Sequence, residues 1–278
     1  MQSLPLFHVQ LEKIMRSIDS DKNDLYRKFV IQGSSRGFKK TNRIMIEGLR
    51  QIEEGLKAGA GLEYLVFSDD KKGEAILAHL QQSLPELINR LEADQLIRMR
   101  SDLFRRLSAT KTPQGVLAFL QPRRSGLDDI EEGDSLIIID VQDPGNVGTL
   151  IRSADAFDIR QVFLLGASAS PWSEKGLRAA MGSIFHLKII EETDTYLALT
   201  ELKKHEIELL ALDIAGQDIR GLERQKKYFG LLVGNEGNGL SESFLNLSDQ
   251  RIRIEMPGQA ESLNVAMAAS IALYELGR

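Results

Sequence analysis

Apolar positions along this chain follow two periods that alternate with each other. Leu4, Phe7, Leu11, Ile14 and Ile18 recur at helical spacing and predict an amphipathic helix over an N-terminal extension, residues 1–22. From Arg43 the pattern shortens. RIMIEG reads as a strand, and Leu49–Lys57 as a helix closed near Gly59 and Gly61. YLVFSD is a second strand, and residues 72–90 read as a helix that Pro85 should break or kink. QLIRMR is a strand, Ser101 is placed to cap a short helix, and GVLAFLQ is another strand. Residues 23–122 therefore form a compact α/β unit.

The polar, acidic segment 123–133 reads as a linker, and a second α/β series fills 134–278. Its strands are SLIIID, VFLLG, HLKII, IELLALD, YFGLLVG and RIRIEM. Helices are predicted from Val147, over Glu174–Met181, over 194–205, after Ser241, and from Ser262 to the end. Strands that are apolar throughout and alternate with helices imply a mainly parallel sheet covered on both faces.

Composition narrows the chemistry. The 278 residues suit two domains, and a hydrophobic fraction of 42% supports two cores. With no cysteine, a disulfide scaffold, a thiol nucleophile and a Cys-ligated metal are excluded. The four histidines are not paired at ligand spacing, so no metal site is expected. The N-terminus lacks the form of a signal peptide, and no stretch reads as a membrane span. A soluble cytoplasmic protein is expected. Net charge is −5, yet the basic residues cluster in the first half: Arg27, Lys28, Arg36, Lys39, Lys40, Arg43 and Arg50, then Arg98 to Arg124. That half is suited to phosphate, or its charges are simply a solvated face.

Three loops at predicted strand ends carry polar groups. The first, DVQDPGNVGTLIR, leaves an apolar strand at Asp140, turns through Asp143–Asn146 and enters a helix bearing Arg152; Asn146 is placed to cap that helix. In the second, GNEGNGLS, Gly234, Gly237 and Gly239 surround Glu236. It is neither a Rossmann fingerprint nor a P-loop. In the third, IEMPGQAESLNV, a Pro–Gly turn leads to Ser262, read as the N-cap of a helix rich in small residues, with Asn264 beside it. Taken one at a time, each is also an ordinary capped or glycine-rich turn. A Rossmann-type enzyme remains open at this point, although its glycines would be expected after the first strand.

Taken together, the order and spacing of N-x5-R, GNEGxGLS and MPG-x3-SLNV resemble the three signatures of the SpoU/TrmH branch of the SPOUT RNA methyltransferases. RIMIEG with TPQGVLAF resembles the L30e-like substrate-binding domain that precedes many members. The resemblance implies a C-terminal SPOUT α/β domain with a deep trefoil knot, preceded by a smaller L30e-like α/β domain. It implies methyl transfer from S-adenosylmethionine to a ribose 2′-hydroxyl of RNA, with 23S ribosomal RNA the expected substrate. The alternatives are a tRNA 2′-O-methyltransferase and a non-catalytic RNA-binding or ribosome-assembly factor. By motif position Arg152, Asn146, Glu236, Ser262 and Asn264 are the expected catalytic set. Gly166, Gly234, Asn235, Gly237, Ile254, Met256 and Leu263 are expected to hold the cofactor. Arg36, Lys39, Lys40 and Arg43 are expected to bind RNA, and the partner is expected to be a second copy of the chain, as a homodimer.

Overall fold

The computed structural model describes residues 15–33, 38, 40–92, 94–108 and 110–278. The chain divides into two compact units, the first reaching Arg123 and the second running from Arg124, with Trp172–Glu174 counted in the first.

The first unit is a five-stranded mixed sheet. Its strands are β1 (Arg16–Ile18), β2 (Ile44–Glu47), β3 (Gly61–Ser68), β4 (Leu96–Met99) and β5 (Val116–Gln121), in the order β1-β4-β3-β5-β2. β4 runs parallel to β1 and β3, while β5 runs antiparallel to β3 and β2. The helices are α1 (Asp24–Gln32), α2 (Leu49–Lys57), α3 (Lys71–Ser83), α4 (Pro85–Arg90) and α5 (Ser101–Leu107). Pro85 starts α4 after a break at Leu84, because a proline offers no amide to the preceding turn but fits a first helical position. Phe29, Phe119, Val66, Ile97 and Leu103 share the core, and Phe29 stacks on Phe119 at 4.4 Å.

Two expectations for this unit change. Ile18 does not end a helix: it closes β1, pairs with Met99 and is fully buried. Leu4, Phe7, Leu11 and Ile14 lie outside the described residues. Ser101 is the first residue of α5 rather than its cap; its amide is satisfied from a distance by Asp69 Oδ1 at 2.8 Å.

The second unit carries a six-stranded sheet, all of it parallel. In chain order come β6 (Ser135–Ile139), α6 (Pro144–Ala156), β7 (Gln161–Leu165), α7 (Glu174–Ala180), β8 (Lys188–Glu192), α8 (Thr195–Lys204), β9 (Ile207–Asp218), β10 (Tyr228–Val233), α9 (Glu242–Leu247), β11 (Gln250–Arg253) and α10 (Val265–Leu276). The strand order is β11-β9-β10-β6-β7-β8. β6, β7 and most of β10 are buried residue after residue, as a sheet covered on both faces requires. α8 and α9 cover one face through Leu199, Leu202 and Leu245. α10 packs chiefly on α6, where small residues permit close approach: Ala266, Ala269 and Ala272 are buried, and Ser153 Oγ meets Ser270 Oγ at 2.7 Å.

This strand order puts β10 beside β6, so the loops that follow both strands open at one place on the carboxyl edge of the sheet. β9 is longer than its sequence pattern suggests, and its pairing with β11 slips. Arg251 faces Ala211 while the next residue, Ile252, faces Gln217, so Leu212–Gly216 bulge out of the ladder. Gly216 is required there, since a Cβ would come within 2.6 Å of the Arg251–Ile252 backbone.

Candidate active site

The first loop leaves β6 at Asp140, which sits in the left-handed region at φ 56°. Asp tolerates that conformation better than most residues, and such strained positions gather at functional sites. The cap of α6 is Asp143, not Asn146: Asp143 Oδ1 accepts from the Gly145 and Asn146 amides at 2.6 and 3.1 Å, with Pro144 at the first turn. Its other oxygen takes Lys175 Nζ at 2.7 Å. That contact, with the capped amides, holds the Asp143 carboxyl below its ordinary range. Asn146 lies three positions past the cap, in the first turn of α6, so its side chain is not used on the helix end and reaches sideways.

The second loop is a tight turn after β10. Asn235 and Gly239 exchange backbone hydrogen bonds at 3.1 and 2.9 Å. Gly234 has no room for a side chain, since a Cβ would lie 2.4 Å from Gly239 carbonyl atoms. Asn235 Oδ1 accepts from the Gly237 and Asn238 amides, and its Nδ2 donates to the Asp140 carbonyl at 3.0 Å. Loop two is thereby tied to loop one. Glu236 Oε1 accepts from Asn146 Nδ2 at 2.9 Å and from the Asp143 amide at 3.3 Å, and Oε2 from the Gln142 amide at 3.4 Å. Partial burial pushes the Glu236 carboxyl up; the bonds from Asn146 and the amides outweigh it and leave it lowered.

The third loop follows β11, which ends at Arg253, earlier than RIRIEM suggests. Asn264 caps α10, its Oδ1 accepting from Ala266 and Met267 amides at 2.9 and 3.3 Å. Ser262 is therefore not the cap; it lies in the exposed loop before it. Because Asn264 Oδ1 is occupied by the helix, its Nδ2 must donate, and it does so to Asn146 Oδ1 at 3.1 Å. Asn146 must then donate from Nδ2, which meets Glu236. A directed chain, Asn264 to Asn146 to Glu236, joins all three loops, with each amide orientation fixed by its neighbour.

Beside this chain lies a cavity of about 370 Å³ between the ends of β9, β10 and β11 and the start of α10, within the size range of small-ligand pockets. Of the residues expected to hold a cofactor, Gly234, Asn235, Gly237, Ile254, Met256 and Leu263 line it, and so do Glu236 and Ser262. Gly166 does not. It follows β7, which β6 separates from β10, and its backbone instead packs on Asp140 Oδ1. The sequence reading missed Leu212, Asp213 and Ile214, which the β9 bulge delivers to the wall, along with Glu261, Val265 and Ala268. An Asp followed shortly by Gly inside an apolar strand was the available signal. Arg152 is exposed on α6, with no hydrogen bond or ion pair among the described residues; Glu236 does not hold it. Among those residues no group of carboxylates and histidines is placed to hold a metal.

In the first unit the expected RNA-binding set divides. Arg43 is half-buried and committed: its Nε donates to Glu63 Oε2 at 2.7 Å and its guanidinium also reaches the Thr41 carbonyl. Lys28 takes the other Glu63 oxygen at 2.8 Å. Burial pushes the Glu63 carboxyl up, and the bonds from Lys28 and Arg43 outweigh it, leaving it lowered. Glu63 carries one charge against two cations, so the cluster stays net positive; the Arg43 guanidinium is itself held by Glu63 and Thr41 and braces the unit. Lys40 is exposed, and Arg36 and Lys39 lie outside the described residues.

A parallel α/β sheet with a glycine-turn cavity at its carboxyl edge, walled by apolar groups and carboxylates, defines an α/β protein built to bind a small molecule. Residues 135–274 match the SpoU rRNA Methylase family, and residues 35–118 match an MRM3-like substrate binding domain. The chain belongs to the SpoU rRNA methylase family. It is 31% identical to the 23S rRNA (guanosine(2553)-2'-O)-methyltransferase RlmP of Bacillus subtilis, over 94% of this chain and 99% of that protein. It is 28% identical to the 23S rRNA (uridine(2479)-2'-O)-methyltransferase of Streptomyces viridochromogenes, over 86% and 84%. The crystal structure of an AdoMet-bound rRNA methyltransferase from Sinorhizobium meliloti superposes with a TM-score of 0.82 at 27% identity, covering 94% of this chain and 97% of that one.

Proposed function

We propose that this chain is an S-adenosylmethionine-dependent methyltransferase acting on a ribose 2′-hydroxyl of 23S ribosomal RNA, in the cytoplasm and as a homodimer. The observation that carries the reading is the hydrogen-bonded chain Asn264–Asn146–Glu236, which unites the three motif loops around one cavity. The donor set fits the cofactor. Apolar Ile254, Met256 and Leu263 suit an adenine face, the backbone of the Gly234 turn suits its polar edge, and Glu236 and Glu261 suit a molecule bearing positive charge. When bound, S-adenosylmethionine supplies an electrophilic methyl on a positively charged sulfur.

This chain's own groups supply alignment and charge. Arg152 grips a substrate phosphate and stabilises the alkoxide as it develops; a guanidinium keeps its proton, so it is not the general base. The hydroxyl proton passes to the substrate phosphate or to water. Ser262 contacts the nucleotide, while Asn146 and Asn264 fix the distance between α6 and the cavity. Holding two reactants in register is the main contribution of such a site.

Arg152 projects from α6 without an internal partner among the described residues, as a group that acts on another molecule would. On α10, Met267, Ile271 and Tyr274 form an exposed apolar stripe at i, i+4 and i+7, 62%, 40% and 51% exposed. The exposed stripe supports the homodimer reading, in which a second copy would cover it. Return of α10 onto α6 after β11 has crossed to the sheet edge agrees with a trefoil knot. Lys40, Arg36 and Lys39 are the phosphate contacts assigned to the substrate-binding domain. The test is incubation with methyl-labelled S-adenosylmethionine and rRNA from cells lacking the gene, followed by nuclease digestion. Label in 2′-O-methylnucleosides is expected; label confined to base-methylated products, or none, overturns the proposal.

A further inference from the structure

Among the carboxylates on the cavity wall, Asp213 stands apart. Glu236 is occupied by Asn146 and two backbone amides, and Glu261 is exposed in the loop before α10. Asp213 is half-buried and comes from the bulge in β9, where Leu212–Gly216 have no partner on β11. The bulge is braced twice. Asp213 Oδ1 accepts from the Ala215 amide at 2.6 Å, and Gly216 lies against the β11 backbone. A bulge costs ladder hydrogen bonds and re-aims side chains, and such bulges gather beside active sites. Here it leaves Asp213 Oδ2 without a partner among the described residues, in the same cavity as Ile254, Met256 and Leu263.

We infer that Asp213 is the cofactor's ribose-binding group, its carboxylate accepting hydrogen bonds from the vicinal hydroxyls of the adenosine. The inference rests on the S-adenosylmethionine reading above. A carboxylate is acceptor-only and holds two donors on neighbouring carbons well. Asp213 shares its cavity with the apolar wall that suits adenine, and the ribose is the polar group joined directly to adenine. The role is one of binding and specificity: it selects a ribonucleoside cofactor and takes no part in moving the proton.

The test is calorimetry on the full chain with four ligands: S-adenosylmethionine, S-adenosylhomocysteine, 5′-methylthioadenosine, and the 3′-deoxy form of the last. Asp213→Asn keeps an oxygen for the Ala215 amide and removes the charge. Its affinity for the three ribose-bearing ligands should fall in parallel, by about tenfold to a hundredfold. The 3′-deoxy ligand should bind the wild type more weakly than its parent and should lose little more with the variant. A loss confined to S-adenosylmethionine would mean that Asp213 reads the sulfonium, and a loss that spares 5′-methylthioadenosine would mean that it reads the ammonium; either overturns the inference. So does an unchanged affinity. If the variant fails to fold, the wild-type comparison decides alone: equal affinity for the 3′-deoxy ligand and its parent overturns the inference. Failure of the wild type to bind S-adenosylmethionine at all would instead remove the cofactor reading, and this inference with it.

Discussion

Arg43 in the first unit and Arg152 in the second are both arginines at motif positions, and the fold treats them in opposite ways. Arg43 sits half-buried against Glu63, which it shares with Lys28, and its guanidinium is held inside the unit. Arg152 stands exposed on α6, with no ion pair among the described residues, about two and a half turns from the Asp143 cap. At the start of the same helix the polar groups satisfy one another: Asp143 takes Lys175, and Glu236 takes Asn146. The difference teaches that local carboxylates decide whether a cation braces the fold or meets a partner. A run of basic residues in a sequence does not reveal which.

The comparison breaks most readily at Arg152. Arg152→Ala is expected to lower methyl transfer by roughly 10²- to 10³-fold, the scale for removing one group that stabilises developing charge, with cofactor affinity by calorimetry unchanged. Loss of cofactor binding would mean that this guanidinium belongs to the cavity. Asn264→Ala removes the cap of α10 and the link to Asn146. It should cost about 1 kcal/mol of stability, read by urea denaturation, and weaken transfer about tenfold. Arg43→Ala should change stability by only about 0.5 kcal/mol, because the pair is partly solvated. The salt dependence of RNA affinity should stay as it was; a shallower slope would return Arg43 to the phosphate contacts.

The smallest effect is that of pH. Glu236 and Glu63 both have carboxyls lowered by their partners. A lowered carboxyl contributes stability that is fully present above the unfolded glutamate range, near about 4.3, and is lost as pH falls through the lower folded value. Stability should therefore be flat from neutrality to about pH 5 and decline below it. Glu236→Gln should flatten that decline in the second unit, as hydrogen exchange of the Gln142 and Asp143 amides would report.

Much of this architecture was legible in the sequence, and the failures have physical causes. Continuously apolar strands such as Leu136–Ile139 and Leu231–Val233 can be little else in a parallel sheet, and Pro85 could only break its helix. The caps were harder. Asp143 and Asn146 are both good N-caps within one turn, as are Ser262 and Asn264, and composition does not choose between them. The choice between Asp143 and Asn146 matters, because a capping Asn146 would spend its Oδ1 on helix amides and leave it less able to accept from Asn264. Ile18 fits a helical period but pairs with a strand eighty residues on, at Met99. The β9 bulge, and with it Asp213, depends on pairing with β11 and leaves only Asp213 and Gly216 as local traces.

The most direct test of the account is to map 2′-O-methyl groups along ribosomal RNA after incubation with S-adenosylmethionine and either the wild type or Arg152→Ala. The account predicts a new protected ribose with the wild type and its near absence with the variant. No 2′-O-methyl group with the wild type, or an undiminished one with the variant, would contradict it.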